Sequence, residues 1–138
     1  SDIQARPTPA NSAGTWLPGG ERTAAEAAVR GLRAIPPNGG TSLVNAFAAA
    51  RAMNPPPDNL ILITDGLPTQ GRNPPRDNTV SPQRREQLFR EALDALPAGV
   101  PVNVILLPME GDPAAASLFW QLAVATKGSF LSPARDWP

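Results

Sequence analysis

The chain has no cysteine and no histidine. The first absence excludes disulfides, thiol nucleophiles and cysteine-ligated metals. The second removes the commonest general base and metal ligand near neutral pH. Any bound ion is therefore expected to be a hard cation such as Mg²⁺, held by oxygen. Charge of one sign is lacking too, since 12 Lys and Arg balance 12 Asp and Glu. That balance argues against bulk attraction to nucleic acid or anionic lipid. No apolar run reaches the length that spans a bilayer, and the N-terminal residues do not read as a signal peptide.

What is present is 138 residues, enough for one domain with a real core. The 18 prolines and 11 glycines fall mostly between periodic apolar segments, where they punctuate a folded chain. The segment that organises the rest is Asn59-Leu60-Ile61-Leu62-Ile63-Thr64-Asp65-Gly66-Leu67-Pro68-Thr69. Its apolar run lies between Pro55-Pro56-Pro57 and Gly66, and predicts a short strand buried on both faces at the centre of a parallel sheet. The run stops on Asp65. Ligands of open parallel sheets bind at the carboxyl ends of the strands, so a carboxylate here is placed to hold a cation or do chemistry. It is equally a residue that caps a turn, because Asp-Gly is a common turn pair.

Before this strand, Ile3 and Ala5 alternate with polar residues and read as the tail of a strand. Asn11 to Gly20 reads as a loop anchored only by Trp16 and Leu17. Thr23 and Glu26 form a capping-box pattern, and Ala25, Ala28, Val29 and Leu32 follow at helical spacing to about Ala34. Asn38-Gly39-Gly40-Thr41-Ser42-Leu43 then opens a helix running to about Met53. Paired glycines let backbone approach a ligand closely, and Thr41 or Ser42 is a good N-cap. Such a helix end can hold an anion or aim a hydroxyl at a metal; it can also be no more than a capped helix.

After the strand, Gln70 to Val80 reads as a polar loop. Ser81 and Pro82 start a helix to about Leu96, with Leu88, Phe89, Ala92 and Leu96 inward and Arg84, Arg85, Glu86 and Glu91 on a solvated face. Val102 to Leu107 is a second buried strand. Asp112-Pro113 starts a last helix carrying Leu118, Phe119, Leu122, Ala123 and Thr126, with Gly128 as its stop, and Ser129-Phe130-Leu131 is a short final strand. Strands alternating with helices predict a Rossmann-like α/β fold: an open, mainly parallel sheet with helices on both faces.

Two motifs combine here. Gly39-Gly40-Thr41-Ser42 opens a helix, and a later apolar strand ends in Thr64-Asp65-Gly66. This order and spacing resembles the von Willebrand factor type A domain, and Leu122-Ala123, Thr126 and Gly128-Ser129-Phe130 resemble that family's last helix and strand. The resemblance covers roughly Ala5 to Pro133. It implies that Thr41 and Asp65 are metal ligands of a metal-ion-dependent adhesion site. Gly40, Ser42 and Gly66 would lie beside them at the partner-binding surface. The ion, Mg²⁺ or else Mn²⁺ or Ca²⁺, keeps one position open for a carboxylate of a protein partner. An ion ringed by neutral hydroxyls stays electrophilic, so an incoming Asp or Glu gains a strong bond.

The family's first strand ends in Asp-x-Ser-x-Ser, and nothing before Thr41 matches it. Asp77-Asn78-Thr79-Val80-Ser81 has a similar spacing but follows the strand it should precede. The resemblance therefore implies a single domain over residues 1–138, truncated at its N-terminal strands, with metal binding weak or absent in the chain alone. The uncovered edge of the Leu60 to Ile63 strand is expected to recruit a second copy into a homodimer. Bacterial relatives of this type are often anchored outside the cytoplasm, which implies an extracytoplasmic setting.

The function implied is a protein-binding module and not an enzyme. The alternatives are a metal-free scaffold, in which Thr41 and Asp65 only cap, and an Mg²⁺-dependent phosphohydrolase with Asp65 as nucleophile. The enzyme reading lacks its supporting residues. Leu67 stands where haloacid-dehalogenase-like enzymes carry a second aspartate, and the one lysine, Lys127, is far along the chain.

Overall fold

The computed structural model describes residues 8–36, 39–73, 79–107 and 111–133. Ile3, Ala5, Asn38, Asp77 and Asn78 lie outside the described residues. The helices are α1 (Arg22–Arg33), α2 (Leu43–Arg51), α3 (Pro82–Leu93) and α4 (Ala115–Ala125). The strands are β1 (Leu60–Thr64), β2 (Val102–Leu106) and β3 (Phe130–Leu131).

Local chemistry explains the helix ends, with two departures from expectation. At α3 the Ser81 hydroxyl accepts from the Arg84 N–H at 3.2 Å, and Pro82 sits where its missing N–H costs nothing. At α1 the capping box does not form. The helix starts earlier, with Glu21 as N-cap, so Thr23 lies inside it and Glu26 accepts instead from Arg22 at 2.8 Å. At the end of α4 the Gly128 N–H donates to Ala123 O at 2.8 Å and the Lys127 N–H to Val124 O at 3.1 Å. This is a Schellman closure, and the left-handed residue in it is Lys127, with φ 61°, not Gly128. Gly128 is required for a different reason: a Cβ there would run into the backbone carbonyl of Val102. Lys127→Gly is accordingly expected to stabilise the fold by about 0.5–1 kcal/mol, since glycine carries no penalty at positive φ. An unchanged or lowered midpoint of thermal unfolding would contradict this.

The sheet is parallel throughout, in the order β1-β2-β3. Among the described residues β1 is therefore an edge strand and not the central one, which is β2. Among the described residues the helices pack on one face of the sheet, where the expectation was for both. Val102, Val104 and Leu106 point into one apolar cluster with Val44 and Phe47 of α2, Phe89 and Ala92 of α3, and Phe119, Leu122 and Ala123 of α4. On the opposite face Ile61 is 68% and Ile63 64% exposed. α2 packs on α3, α4 packs on β2 and β3, and α1 packs on no other helix or strand of the described residues. A continuous apolar run shows that both faces of a strand suit burial. It does not show that the chain has helices placed to bury both. No helix among the described residues is long and apolar enough to cross a membrane.

Candidate functional site

The site begins where β1 ends. Leu107 N–H donates to Thr64 O at 2.8 Å, which carries the ladder to the last residue of the strand. The Thr64 hydroxyl then donates to Gly66 O at 2.9 Å and turns the chain. Asp65, at the apex, is exposed and takes no hydrogen bond or ion pair from a described residue. The loop that follows is buried, with Leu67 2% exposed.

That loop is held by a pair the sequence reading missed. Asp112, between β2 and α4, accepts from the Leu67 N–H at 2.7 Å and pairs with Arg85 of α3 at 2.8 Å. Arg85 in turn donates to Leu67 O at 2.6 Å. The two side chains are 6% and 16% exposed, so Arg85 does not belong to a solvated face of α3 as expected. Gly66 fits beneath them because it lacks a side chain; a Cβ there would lie 2.7 Å from the Asp112 carboxylate and 3.0 Å from the Arg85 guanidinium. The available signal was topological. Two adjacent parallel strands end side by side, so an acid in the connection after the second can meet the loop of the first.

Thr41 is tied to the same loop a few residues on. Its carbonyl accepts from the Thr69 and Gln70 N–H groups, each at 3.0 Å, and its own N–H donates to the Thr69 hydroxyl at 2.9 Å. Ser42 bridges Gln70 as a short parallel pair. The Thr41 hydroxyl itself makes no hydrogen bond to a described residue. Ser42 is differently used: it precedes α2 as N-cap, yet its hydroxyl donates to Gly71 O at 2.8 Å and it is 7% exposed. Gly40 admits the Gln70 side chain over its Cα, where the sequence suggested room for a ligand. Of the expected site residues, Thr41 and Asp65 thus keep uncommitted oxygens on one loop system, while Ser42 and Gly66 are buried in holding it together.

As a cation site this donor set is sparse. Mg²⁺ takes about six oxygen ligands, and one carboxylate with one hydroxyl leaves most of them to water. Among the described residues no three His, Cys, Asp or Glu side chains gather where they could hold a metal. Beside the loop, a groove of about 900 Å³ runs to α3, lined by Thr69, Gln70, Arg72, Ser81, Arg84 and Glu91 among others. Its charges are of both signs, and Arg84 is already paired with Glu91 at 2.9 Å. No protein-family model, curated protein or solved structure matches this chain.

Proposed function

We propose that the chain is a protein-binding module and not an enzyme, presenting Asp65, with Thr41 tied to a later part of the same loop, to a partner's carboxylate through a divalent cation. This is the role implied by its resemblance to von Willebrand type A domains. The observation that carries it is the contrast within one loop. Leu67 is fixed by three hydrogen bonds to Asp112 and Arg85, while the neighbouring Asp65 is exposed and pairs with no described residue. A rigid support under a free carboxylate suits presentation of that group to something outside the chain.

The residues supply part of a coordination shell, so the chain alone holds the ion weakly. Calorimetric titration with Mg²⁺ or Mn²⁺ is expected to give a Kd no tighter than about 1 mM, the weak end of oxygen-ligand sites. Asp65→Asn should remove that binding and leave the unfolding midpoint unchanged, because the carboxylate bonds to no described residue. Binding of equal strength in the Asp65→Asn protein would end the cation role. Micromolar binding would show that further ligands exist.

A second reading, a metal-free interaction scaffold, draws on Ser42 and the Thr41 backbone. Both are committed to Gly71, Thr69 and Gln70, and those bonds need no ion. Partner binding that is indifferent to chelator would favour it.

A further inference from the structure

Asp112 is the only aspartate of the chain that proline follows. Such a bond carries the means of its own cleavage. The side-chain carboxyl can close a ring onto the residue's own carbonyl carbon. Proline then leaves more readily than another residue would, because its nitrogen is that of a tertiary amide and alkyl substitution makes it more basic. The fold supplies two further parts. The Asp112 carbonyl oxygen accepts from the Ala115 N–H at 3.2 Å, so a donor already stands where negative charge would build during the attack. Pro113, on the leaving side, is exposed, so solvent can bring it a proton.

What restrains the reaction is the place of the carboxylate. Among the described residues, the groups that meet it are the Arg85 guanidinium of α3 at 2.8 Å and the Leu67 N–H of the loop after β1 at 2.7 Å. Both bond the same oxygen, Oδ2, and the side chain is 6% exposed. With Oδ2 held from two sides, the carboxyl group is not free to turn onto its own backbone. A hydrogen bond to a charged group changes a population by roughly tenfold or more, so the two together hold back the reactive conformer about a hundredfold.

We propose that Asp112–Pro113 is a latent self-cleavage site, kept intact in the folded chain by the bonds of Arg85 and Leu67 to the Asp112 carboxylate and cut in mild acid when those bonds are lost. A carboxyl oxygen of Asp112 forms a bond to the Asp112 carbonyl carbon. The bond from that carbon to the Pro113 nitrogen breaks, and its electron pair stays on nitrogen, which takes a proton from the acidic solution. The cyclic anhydride left on Asp112 is opened by water to the free side-chain and main-chain carboxyls. One water is consumed and nothing is oxidised or reduced. The cut parts α4 and β3 from the rest, and with them Phe119, Leu122 and Ala123 of the core. The pair that supports the loop under Asp65 thus also guards the backbone on which it stands. None of these steps involves Asp65 or a cation.

The test is incubation of the full chain at about pH 4, near the ordinary aspartate pKa. Mass spectrometry under denaturing conditions follows the products, and circular dichroism follows the fold. Wild type in urea is expected to yield fragments 1–112 and 113–138. The folded wild type should yield them about a hundredfold more slowly. Arg85→Met removes the guanidinium, and while still folded should be cut at least about tenfold faster than wild type. Arg85→Lys keeps the charge without the forked geometry; it is the milder variant if Arg85→Met does not fold, and its rate should lie between the two. Adding Pro113→Ala to either should stop cleavage at this bond, since an ordinary amide is then the leaving group. Folded wild type cut as fast as in urea overturns the proposal. So does a folded Arg85→Met protein no faster than wild type, or, where only Arg85→Lys folds, that protein no faster, and so does cleavage after residue 112 that survives Pro113→Ala.

Discussion

Replacing Asp112 with alanine is expected to lower stability by about 3–5 kcal/mol, the usual cost of leaving one member of a buried ion pair alone. The carboxylate is 6% exposed and its partner Arg85 16%, so water cannot readily take over either role. Two groups are orphaned at once. Arg85 keeps its charge without a counterion, and the Leu67 N–H, bonded at 2.7 Å, loses its acceptor. A domain of this size has about 5–15 kcal/mol in total, so the variant should unfold at a much lower urea concentration. The expected asymmetry is informative. Replacing Asp112 and Arg85 together by apolar residues of similar volume should cost far less than Asp112→Ala, because no charge is then left unpaired. A loss below about 1 kcal/mol in the single variant would place the pair among surface bridges and remove the rigid support argued for Asp65.

Phe119→Ala is expected to cost about 3–5 kcal/mol, as large-to-small changes in packed cores do. Phe119 is 1% exposed and meets the Phe89 ring edge-on, with centroids 5.2 Å apart at 88°. It joins α4 to α3 above Val102, Val104 and Leu106, so the cavity left by its removal would lie between elements with few other contacts. The next residue provides the control. Trp120 is 54% exposed, and Trp120→Ala should change stability by about 0.5 kcal/mol or less. Urea denaturation of both variants reads the orientation of α4 directly. Equal losses would mean that the inward face is wrongly assigned.

The chain's own sequence determined what depends on a few neighbouring residues. Ser81 and Pro82 begin a helix because a hydroxyl and a missing N–H answer the needs of a first turn. Leu88, Phe89 and Ala92, and later Phe119, Leu122 and Ala123, face inward because their spacing puts them on one side of a helix. The two main strands and their parallel sense follow from apolar runs separated by helices. Only the tertiary structure decided which described strand is central, that the described helices leave one sheet face exposed, and that Arg85 turns inward. Those outcomes depend on crossovers that bring Leu67 to Asp112 across 45 residues and to Arg85 across 18. Asp65 directly follows β1, whereas Asp112 stands six residues past β2 before Pro113, where the sequence reads as a helix start. Their environments separate them: Asp112 faces a guanidinium and a backbone N–H inside the fold, whereas Asp65 faces solvent. No local pattern shows that Asp112 is the paired acid, because the groups that bind it reach it only when both strands are already side by side.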